Sequence, residues 1–538
     1  MSIDLDVIVI ANAGWGILET DIQTSFTSDA ERNVYDKVLE RFKFQLDGKT
    51  KLMTTTDLVN YFKNGRKVVD LNVRNIRQNL CDYNYYTLNG VYLSDFLKKR
   101  GFKVELVNHF DFTDKESLIA KLHANPLAVA ISTTFMFTPL LLKRIGDFVK
   151  MHNDKVKCIV GGPFLFNLRN EPWVPLNFLL GLLKDSVDAF IFENEGETAL
   201  ANVISALKDD RHLDGIKNIA YFHDAELVFN DREPESNILD NNIISWNELD
   251  GALLNGTVCV RTSNGCPLNC KFCTAAQPCG VQYVSLDRLR DELREIDSLG
   301  SIKNLGFIDE AFSVPVDRFQ SICRMLIEED FGFGWFNEVQ ATSINKDTID
   351  LIKRSKCKIM SIGIESGDET VAHNMGRKGT CDDLRRAIGL IKDSDIPVHA
   401  HIIIGFPGET EESIQRTLEM LDGEGVDFYT HYIWFYYHRA PVHEDRHKYD
   451  LSGAGWNWKH TTMNSEQAAE FTRNFYFNAE STFVKGMEEV MVLSDAGYSF
   501  QRIKEMCNIR NELIKSGLRN DLSVQKKAQL LQEFGTLI

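Results

Sequence analysis

The hydrophobic residues of the first 245 positions form short runs, and longer amphipathic stretches separate them. The runs predict buried strands at 7–11, 103–107, 128–132, 158–161 and 189–192. Amphipathic helices are predicted between them, as at 90–99 and 139–151. This alternation is typical of a Rossmann-like, doubly wound parallel sheet. We assign residues 1–245 to one α/β domain and interpret the polar, irregular stretch at about 17–79 as an insertion after its first strand.

The same alternation recurs more regularly between residues 246 and 440. Strands are predicted at 257–262, 304–308, 335–341, 359–364, 398–404 and 428–435. Helices are predicted between them, including 286–299 and 410–421. Six strand–helix units predict a partial (β/α)6 barrel of the TIM type, whose functional residues follow the carboxyl ends of its strands. Residues 441–538 are predicted to be mostly helical.

Charge and composition exclude several functional classes. The chain has 538 residues, 43% of them hydrophobic, and a net charge of −17. This charge argues against a general binder of nucleic acid or anionic membranes, because such binding needs clustered Lys and Arg. The first apolar run follows two aspartates and is too short for a secretory signal, and no stretch approaches the ~20 apolar residues that span a bilayer. We therefore expect a cytoplasmic protein without membrane or nucleic-acid partners.

Three of the 11 cysteines are closely spaced after the first predicted barrel strand. Cys266, Cys270 and Cys273 lie in a loop that Gly265 and Pro267 punctuate, so their thiolates can converge. A four-iron cubane normally takes four thiolates, and three would leave one iron open to a substrate's amine and carboxylate. The alternatives are a structural zinc site, with Cys279 or Cys259 as a fourth ligand, and chance clustering. The remaining cysteines are mostly interpreted as reduced, buried thiols.

The CxxxCxxC loop, with Phe272 before its last cysteine, resembles that of the radical SAM superfamily. The resemblance extends to the ends of three later strands and implies a [4Fe–4S] cluster on Cys266, Cys270 and Cys273. It also implies contacts to S-adenosylmethionine (SAM) from the following residues: Asp309, Glu310, Glu365, Ser366 and Gly405. An acid at a strand tip can accept hydrogen bonds from an ammonium or ribose group, although taken singly it is equally a solvated strand-end residue. One departure is Gln340, where related enzymes often carry an arginine.

The first domain resembles the cobalamin-binding domain that precedes many radical SAM enzymes. The segments that match lie mostly after predicted strands, at the edge where open α/β sheets bind ligands. The cobalamin contacts that this implies are Asn89, Ser132, Thr133, Gly161, Gly162, Glu195 and Gly196. The usual Asp-x-His-x-x-Gly motif is absent, since His109 has no such context, so no histidine ligand is expected from it. The alternative is a vestigial domain without cofactor or with another nucleotide.

Together the two resemblances imply a cobalamin-dependent radical SAM methyltransferase. Such an enzyme would form a 5′-deoxyadenosyl radical and move a methyl group from methylcobalamin to an unactivated carbon or phosphorus of a small metabolite. The C-terminal part is similar to the phosphinate P-methyltransferase subgroup. His438 with Arg439, and Lys459 with His460, could hold an anionic substrate group; an aromatic core patch with a basic rim is equally compatible.

The resemblance also implies an electron donor such as flavodoxin or ferredoxin. It assigns no side chain a catalytic role beyond cofactor contact. Two other functions stay open: a non-methylating rearrangement, cyclisation or oxidation with the same cofactors, and a non-catalytic cobalamin or iron–sulfur sensor.

Overall fold

The structure is a computed structural model in which the chain divides into two compact units. The first contains residues 1–27, 71–76 and 86–249, and the second contains 28–70, 77–85 and 250–538. The residues that the structure describes are 4–13, 29–46, 49–69, 71, 78–81, 85–136, 138–171, 175–224, 226–235, 237–249, 251, 254, 256–275 and 280–538. No helix among them is long and apolar enough to cross a membrane.

The first unit is built on a seven-stranded sheet. Its strands are β1 (Val7–Ile10), β2 (Val104–Val107), β3 (Ala128–Ser132), β4 (Lys157–Gly161), β5 (Ala189–Ile191), β6 (Ile219–His223) and β7 (Glu226–Phe229). They lie in the order β2-β1-β3-β4-β5-β6-β7. The first five are parallel, whereas β6 and β7 are antiparallel to their neighbours, a hairpin that the sequence analysis missed.

Helices cover both faces of this sheet, as the alternating pattern predicted. Their bounds are Leu88–Lys98, Lys115–His123, Pro139–His152, Pro163–Asn170, Leu176–Gly181 and Glu197–Lys208. Two separate groups of buried side chains form the core, one on each face of the central strands. Because the strand order reverses at β1, the sheet has a switch point between β1 and β3, the usual ligand crevice of such folds.

The second unit contains the barrel. Its parallel strands are β8 (Gly256–Val260), β9 (Ile302–Phe307), β10 (Gly334–Val339), β11 (Cys357–Glu365), β12 (Val398–Ile404), β13 (Phe428–Ile433) and β14 (Thr482–Phe483). The six predicted barrel strands are confirmed, and the short β14 adds a seventh beside β13. The intervening helices are Leu286–Ser298, Val316–Glu329, Lys346–Arg354, Glu369–Asn374, Cys381–Lys392 and Glu411–Gly423.

The C-terminal region is mostly helical, as predicted. Its helices are Ser465–Asn478, Met487–Asp495, Phe500–Leu518 and Val524–Thr536, and a hairpin of Ser452–Ala454 and Asn457–Lys459 precedes them. These helices belong to the same compact unit as the barrel. The structure thus gives no separate third unit at residue 441, because these helices pack on strands at both ends of the barrel sheet: Ser465–Asn478 contacts β13, and Met487–Asp495 contacts β8 and β9.

The inserted stretch differs from the irregular segment that its polarity suggested. Its described part contains two helices, Asp29–Glu40 and Thr55–Lys63, with an antiparallel hairpin of Lys43–Leu46 and Lys49–Leu52 between them. This part belongs to the barrel unit and not to the first domain, which its position in the sequence predicts. The contacts that place it there are long-range, such as Thr55 N donating to Glu489 Oε1 at 2.6 Å.

Candidate active site

The cysteine loop begins where β8 ends, at the carboxyl edge of the barrel. A two-residue strand, Ser263–Asn264, follows β8 and pairs antiparallel with Gln282–Tyr283. Gly265 follows with φ +89°, a conformation that favours glycine, so the turn before Cys266 requires this residue. The loop therefore leaves the strand by a turn that the sequence specifies.

Backbone hydrogen bonds hold the loop from both sides. Cys273 N donates to Cys270 O at 3.1 Å, and Lys271 N donates to Met375 O at 2.8 Å. Arg439 donates to Thr274 O at 2.9 Å, just after the last cysteine. The loop is thus fixed by groups from two other segments of the barrel unit.

The three thiols form one electrostatic group. Burial, and then the neighbouring Cys273 and Cys266 sulfurs, raise the pKa of Cys270 to about 12. Burial also raises the pKa of Cys266 and of Cys273. Three adjacent soft sulfur donors in a partly buried loop suit an iron–sulfur cluster, whose positive irons stabilise the thiolates.

No three His, Cys, Asp or Glu side chains within the described ranges are arranged to hold a single metal ion. This does not conflict with a cluster, in which each thiolate binds a different iron. Cys279, the alternative fourth ligand, lies outside the described residues.

Asp309, at the tip of β9, contacts the segment that enters the cysteine loop. Its Oδ1 accepts from Thr262 N at 2.9 Å, from Thr262 Oγ1 at 3.1 Å and from Ser263 Oγ at 2.6 Å. Burial raises the pKa of Asp309 to about 6, and Oδ2 is buried without a protein partner among the described residues. The neighbouring Glu310 is exposed. Of these two neighbouring acids, both predicted to contact SAM, Glu310 is accessible. Asp309 supports the cysteine loop through Oδ1, and its Oδ2 has no partner among the described residues.

Glu365 ends β11 in the left-handed backbone region, with φ +56°. Burial, and then the neighbouring carboxylate of Glu338, raise the pKa of Glu365 to about 8. Gly363 makes room for both acids, because a Cβ there would lie 2.8 Å from Glu365 Oε1 and 3.3 Å from Glu338 Oε1. The barrel lumen beside the cysteine loop is therefore acidic.

Ser366 and Gly405 lie in the same region, but their polar groups have internal partners. Ser366 is fully buried, and its hydroxyl accepts from Asp368 N at 3.2 Å and lies 3.4 Å from Thr417 Oγ1. Gly405 N donates to Glu409 Oε2 at 2.6 Å, and Gly405 O lies 3.1 Å from His460 Nε2. A direct SAM contact by the Ser366 hydroxyl would require its bonds to Asp368 and Thr417 to break. Ser366 and Gly405 therefore stabilise the loops that follow β11 and β12.

A polar group on the inner face of the barrel was not predicted from the sequence. His401 Nε2 lies 3.6 Å from Glu338 Oε2, and the His401 ring stacks on Tyr432 at 5.9 Å between centroids. Deeper in, His399 contacts Ser361 Oγ at 2.8 Å and Thr430 Oγ1 at 2.9 Å. Period-two alternation along β12 places both histidines on one face, a signal that the sequence contained.

The predicted anion clamp is not assembled as proposed. His460 is buried, stacks on Trp458 and contacts Gly405 O, while His438 Nε2 lies 2.8 Å from Gly453 O. Burial lowers the pKa of His460 to about 4, so this ring is neutral at pH 7. His460 is therefore part of the core rather than of a basic rim.

Polar side chains of the first unit meet at its switch point. Asn89 Nδ2 donates to Ser132 Oγ at 2.8 Å and to Ala11 O at 3.0 Å. Asn12 Oδ1 and Asn89 Oδ1 are both buried without a protein partner among the described residues. Two unpaired amide oxygens at this edge can accept hydrogen bonds from a ligand that carries amide N–H groups.

Glycines shape the rest of this edge. Gly162 has φ +116°, and a Cβ there would lie 2.9 Å from Thr133 Oγ1, while Thr133 N donates to Gly161 O at 2.8 Å. At Gly196 a Cβ would lie 2.4 Å from Ile191 Cγ2, so the following helix packs close to β5. The predicted Glu195 contacts Asn237 N at 3.2 Å.

His109 lies after β2, as expected. It is buried, and burial lowers its pKa to about 4.

Residues 260–421 match the family model of the radical SAM superfamily. This segment runs from the end of β8 through the cysteine loop to the helix after β12, so the barrel is a radical SAM domain. A [4Fe–4S] cluster and SAM are the cofactors of that domain, as predicted.

Two curated relatives illustrate the range of similar sequences. An uncharacterized methyltransferase of Pyrococcus horikoshii is 24% identical over 338 residues, which are 60% of this chain and 69% of the relative. The anaerobic magnesium-protoporphyrin IX monomethyl ester cyclase of Rubrivivax gelatinosus is 25% identical over 308 residues, 53% of this chain and 52% of the cyclase. The chain thus spans about half the length of the cyclase.

Two solved structures share the fold. TsrM of Kitasatospora setae, a radical SAM methyltransferase solved with cobalamin and a [4Fe–4S] cluster, matches with a TM-score of 0.55 and 15% identity over 69% of this chain and 72% of TsrM. The cobalamin-dependent SAM radical enzyme OxsB matches with a TM-score of 0.53 and 20% identity over 63% of this chain and 50% of OxsB.

Proposed function

We propose that the chain is a cobalamin-dependent radical SAM methyltransferase acting on a small molecule. The observation that carries this proposal is the combination of two carboxyl edges in one chain. One edge presents three thiols and several acids on a radical SAM barrel. The other presents glycines and two amide oxygens, unpaired among the described residues, at the switch point of an α/β sheet.

In this proposal Cys266, Cys270 and Cys273 bind the cluster, which supplies the electron for reductive cleavage of SAM. Gly265 and the hydrogen bonds of Asp309 hold the loop in the shape that brings the thiolates together. Glu310 and Glu365 offer acceptors to the SAM ammonium and ribose groups. The three thiolates leave one coordination position for SAM.

The first unit would bind cobalamin, the carrier of the methyl group. Its residues fit such a ligand in two respects. Asn12 Oδ1 and Asn89 Oδ1 are acceptors with no protein partner in the part of the chain that the structure describes, and corrin side chains carry amide donors. Gly162, with no side chain, lets a large flat ring approach the backbone where a Cβ would crowd Thr133.

Counting the products of SAM tests the methyl-transfer claim. Protein reconstituted anaerobically with iron, sulfide and hydroxocobalamin is given a reductant, methyl-labelled SAM and a metabolite extract. Methyl transfer predicts both S-adenosylhomocysteine and 5′-deoxyadenosine, with label in one metabolite. Formation of 5′-deoxyadenosine alone would instead support the second candidate, a non-methylating radical reaction, which the cyclase relative favours.

Cobalamin binding has its own test. We expect Asn12→Leu to retain several-fold less cobalt than the parent protein, because it removes a buried acceptor at the proposed edge. Asn153→Leu is the matched control, since it removes an amide at the opposite edge, before β4. Equal cobalt in both variants and the parent would contradict the proposed site.

The phosphinate resemblance and the identity of the electron donor stay predictions. Glu338 and the mostly protonated Glu365 lie beside Gly363, and these carboxyl groups favour a substrate that forms hydrogen bonds over an anionic one.

A further inference from the structure

The two loops that the proposed reaction needs, the cysteine loop and the Glu365 loop, are joined by one short turn. This turn comprises residues 375–377 and follows the helix Glu369–Asn374.

One end of the turn contacts the cysteine loop. Met375 O accepts from Lys271 N at 2.8 Å, between two of the cysteines. Gly376 follows with φ +69°, and a Cβ there would lie 3.3 Å from both Asn269 O and Lys271 Cγ. The backbone of the turn thus packs directly against residues 269–271.

The other end contacts the Glu365 loop. The Arg377 guanidinium donates through one nitrogen to Ile364 O at 2.7 Å and to Ser366 O at 3.2 Å. These carbonyls flank Glu365, whose left-handed backbone is unfavourable for a residue with a side chain. A planar cation bonded to both carbonyls fixes the Ile364–Glu365 peptide group, on which the φ of Glu365 depends, and the peptide group that follows Ser366.

We propose that Arg377 is a positioning residue, which holds Glu365 at a set distance from the cysteine loop and thereby shapes the SAM site. Arg377 does not replace the arginine missing at Gln340 as a direct SAM ligand, because its donors go to two backbone carbonyls and to the Cys381 sulfur. It acts through Glu365. For its SAM readout this inference rests on the proposed function.

The first test is independent of that function. Hydrogen–deuterium exchange of the cluster-free protein is compared for the parent, Arg377→Met and Arg377→Lys. We expect the peptide that spans 362–368 to exchange at least several-fold faster in Arg377→Met, with the rest of the barrel unchanged. Arg385→Met is the matched control, because Arg385 is about half exposed and pairs with Asp382 and Glu424. Unchanged exchange in 362–368 would overturn the proposal.

The second test measures SAM affinity and the electron paramagnetic resonance spectrum of the reduced, reconstituted protein. We expect Arg377→Met to bind as much iron as the parent and to show an altered spectrum when SAM is bound. Its SAM affinity should fall about tenfold, which corresponds to the loss of one charge-assisted hydrogen bond. If Arg377→Met exchanges faster but keeps the SAM affinity and the spectrum of the parent, Arg377 has only a structural role, and the proposal is overturned.

Should Arg377→Met lose its iron, Arg377→Lys decides by the same criteria, because lysine keeps the charge but not the planar fork. If the parent itself fails to bind SAM, the proposed function fails, and the exchange result still stands alone.

Discussion

At the scale of single residues, the site depends on a few positions where any side chain is strained. Gly405 is one, with φ +102° and no room for a Cβ, which would lie 2.6 Å from Trp458 Cη2. A side chain there must displace a buried indole and adopt a strained backbone. The glycine therefore fixes both the loop after β12 and the core beneath it.

We predict that Gly405→Ala lowers the free energy of unfolding by about 2 kcal/mol, from strain and crowding together. The control is Gly389→Ala, in the helix Cys381–Lys392, where a Cβ meets nothing within 4 Å. This change should be neutral or stabilise by roughly 0.5–1 kcal/mol. Urea denaturation of the cluster-free protein measures both; equal effects would contradict the packing described here.

The buried Glu409, in the loop after β12, makes the stability of the fold depend on pH. Burial raises the pKa of Glu409 to about 8, whereas the pKa of a glutamate in the unfolded chain is about 4.3. Between these values the folded chain binds more protons than the unfolded chain, so this group stabilises the fold at low pH and loses that contribution as pH rises.

The prediction is that Glu409→Gln flattens the fall in stability between pH 5 and 8 by up to about 1 kcal/mol per pH unit. Urea midpoints of the cluster-free parent and variant at several pH values would show it. An unchanged slope would place the Glu409 carboxyl outside the buried position assigned to it.

At the scale of elements, a buried ion pair ties the inserted helix to the C-terminal region. Glu489 contacts Arg510 at 3.3 Å, with both side chains almost fully buried, and also accepts from Thr55 N at 2.6 Å. Glu489 thus caps the helix Thr55–Lys63 from a distant part of the chain. Breaking such a pair leaves an unpaired buried charge, which costs about 3–5 kcal/mol.

We expect Arg510→Met to destabilise the barrel unit by that amount and to expose the peptide at 54–63 to protease. Lys526→Met, which removes an exposed pair with Glu512, should cost less than about 1 kcal/mol. Limited proteolysis with mass spectrometry gives the readout. If Arg510→Met is cleaved elsewhere while residues 54–63 stay protected, the ion pair does not hold the inserted helix in place.

The sequence predicted the elements with strong periodicity and failed where long-range contacts decide. The spans 128–132 and 398–404 are found unchanged as strands, because their apolar runs are bounded by clear turn signals. The helix Thr55–Lys63 was not predicted, since its position depends on Glu489, more than 400 residues away. The inner-face group around His401 was missed because it combines side chains from three strands, and no local pattern brings Glu338 and Tyr432 together.

At the scale of the whole molecule, each unit has a carboxyl edge suited to a different partner group. The acids, thiols and glycines of the barrel serve, in our proposal, a cluster and SAM, and the segment that carries most of them matches the radical SAM family model. The amide and glycine edge of the sheet serves, in our proposal, a cobalamin. The net charge of −17 suits neither nucleic acid nor anionic lipid, in accord with a small-molecule substrate.

Reductive cleavage of SAM by the reconstituted protein tests the central claim most directly. Anaerobic protein is reduced, and 5′-deoxyadenosine is counted for the parent, for Cys266→Ala, Cys270→Ala and Cys273→Ala, and for Cys279→Ala as a control. We predict cleavage and the cluster absorbance in the parent and in Cys279→Ala, and neither in the other three variants. Cleavage that survives the loss of any of the three cysteines, or that is lost with Cys279, would contradict the three-thiolate cluster.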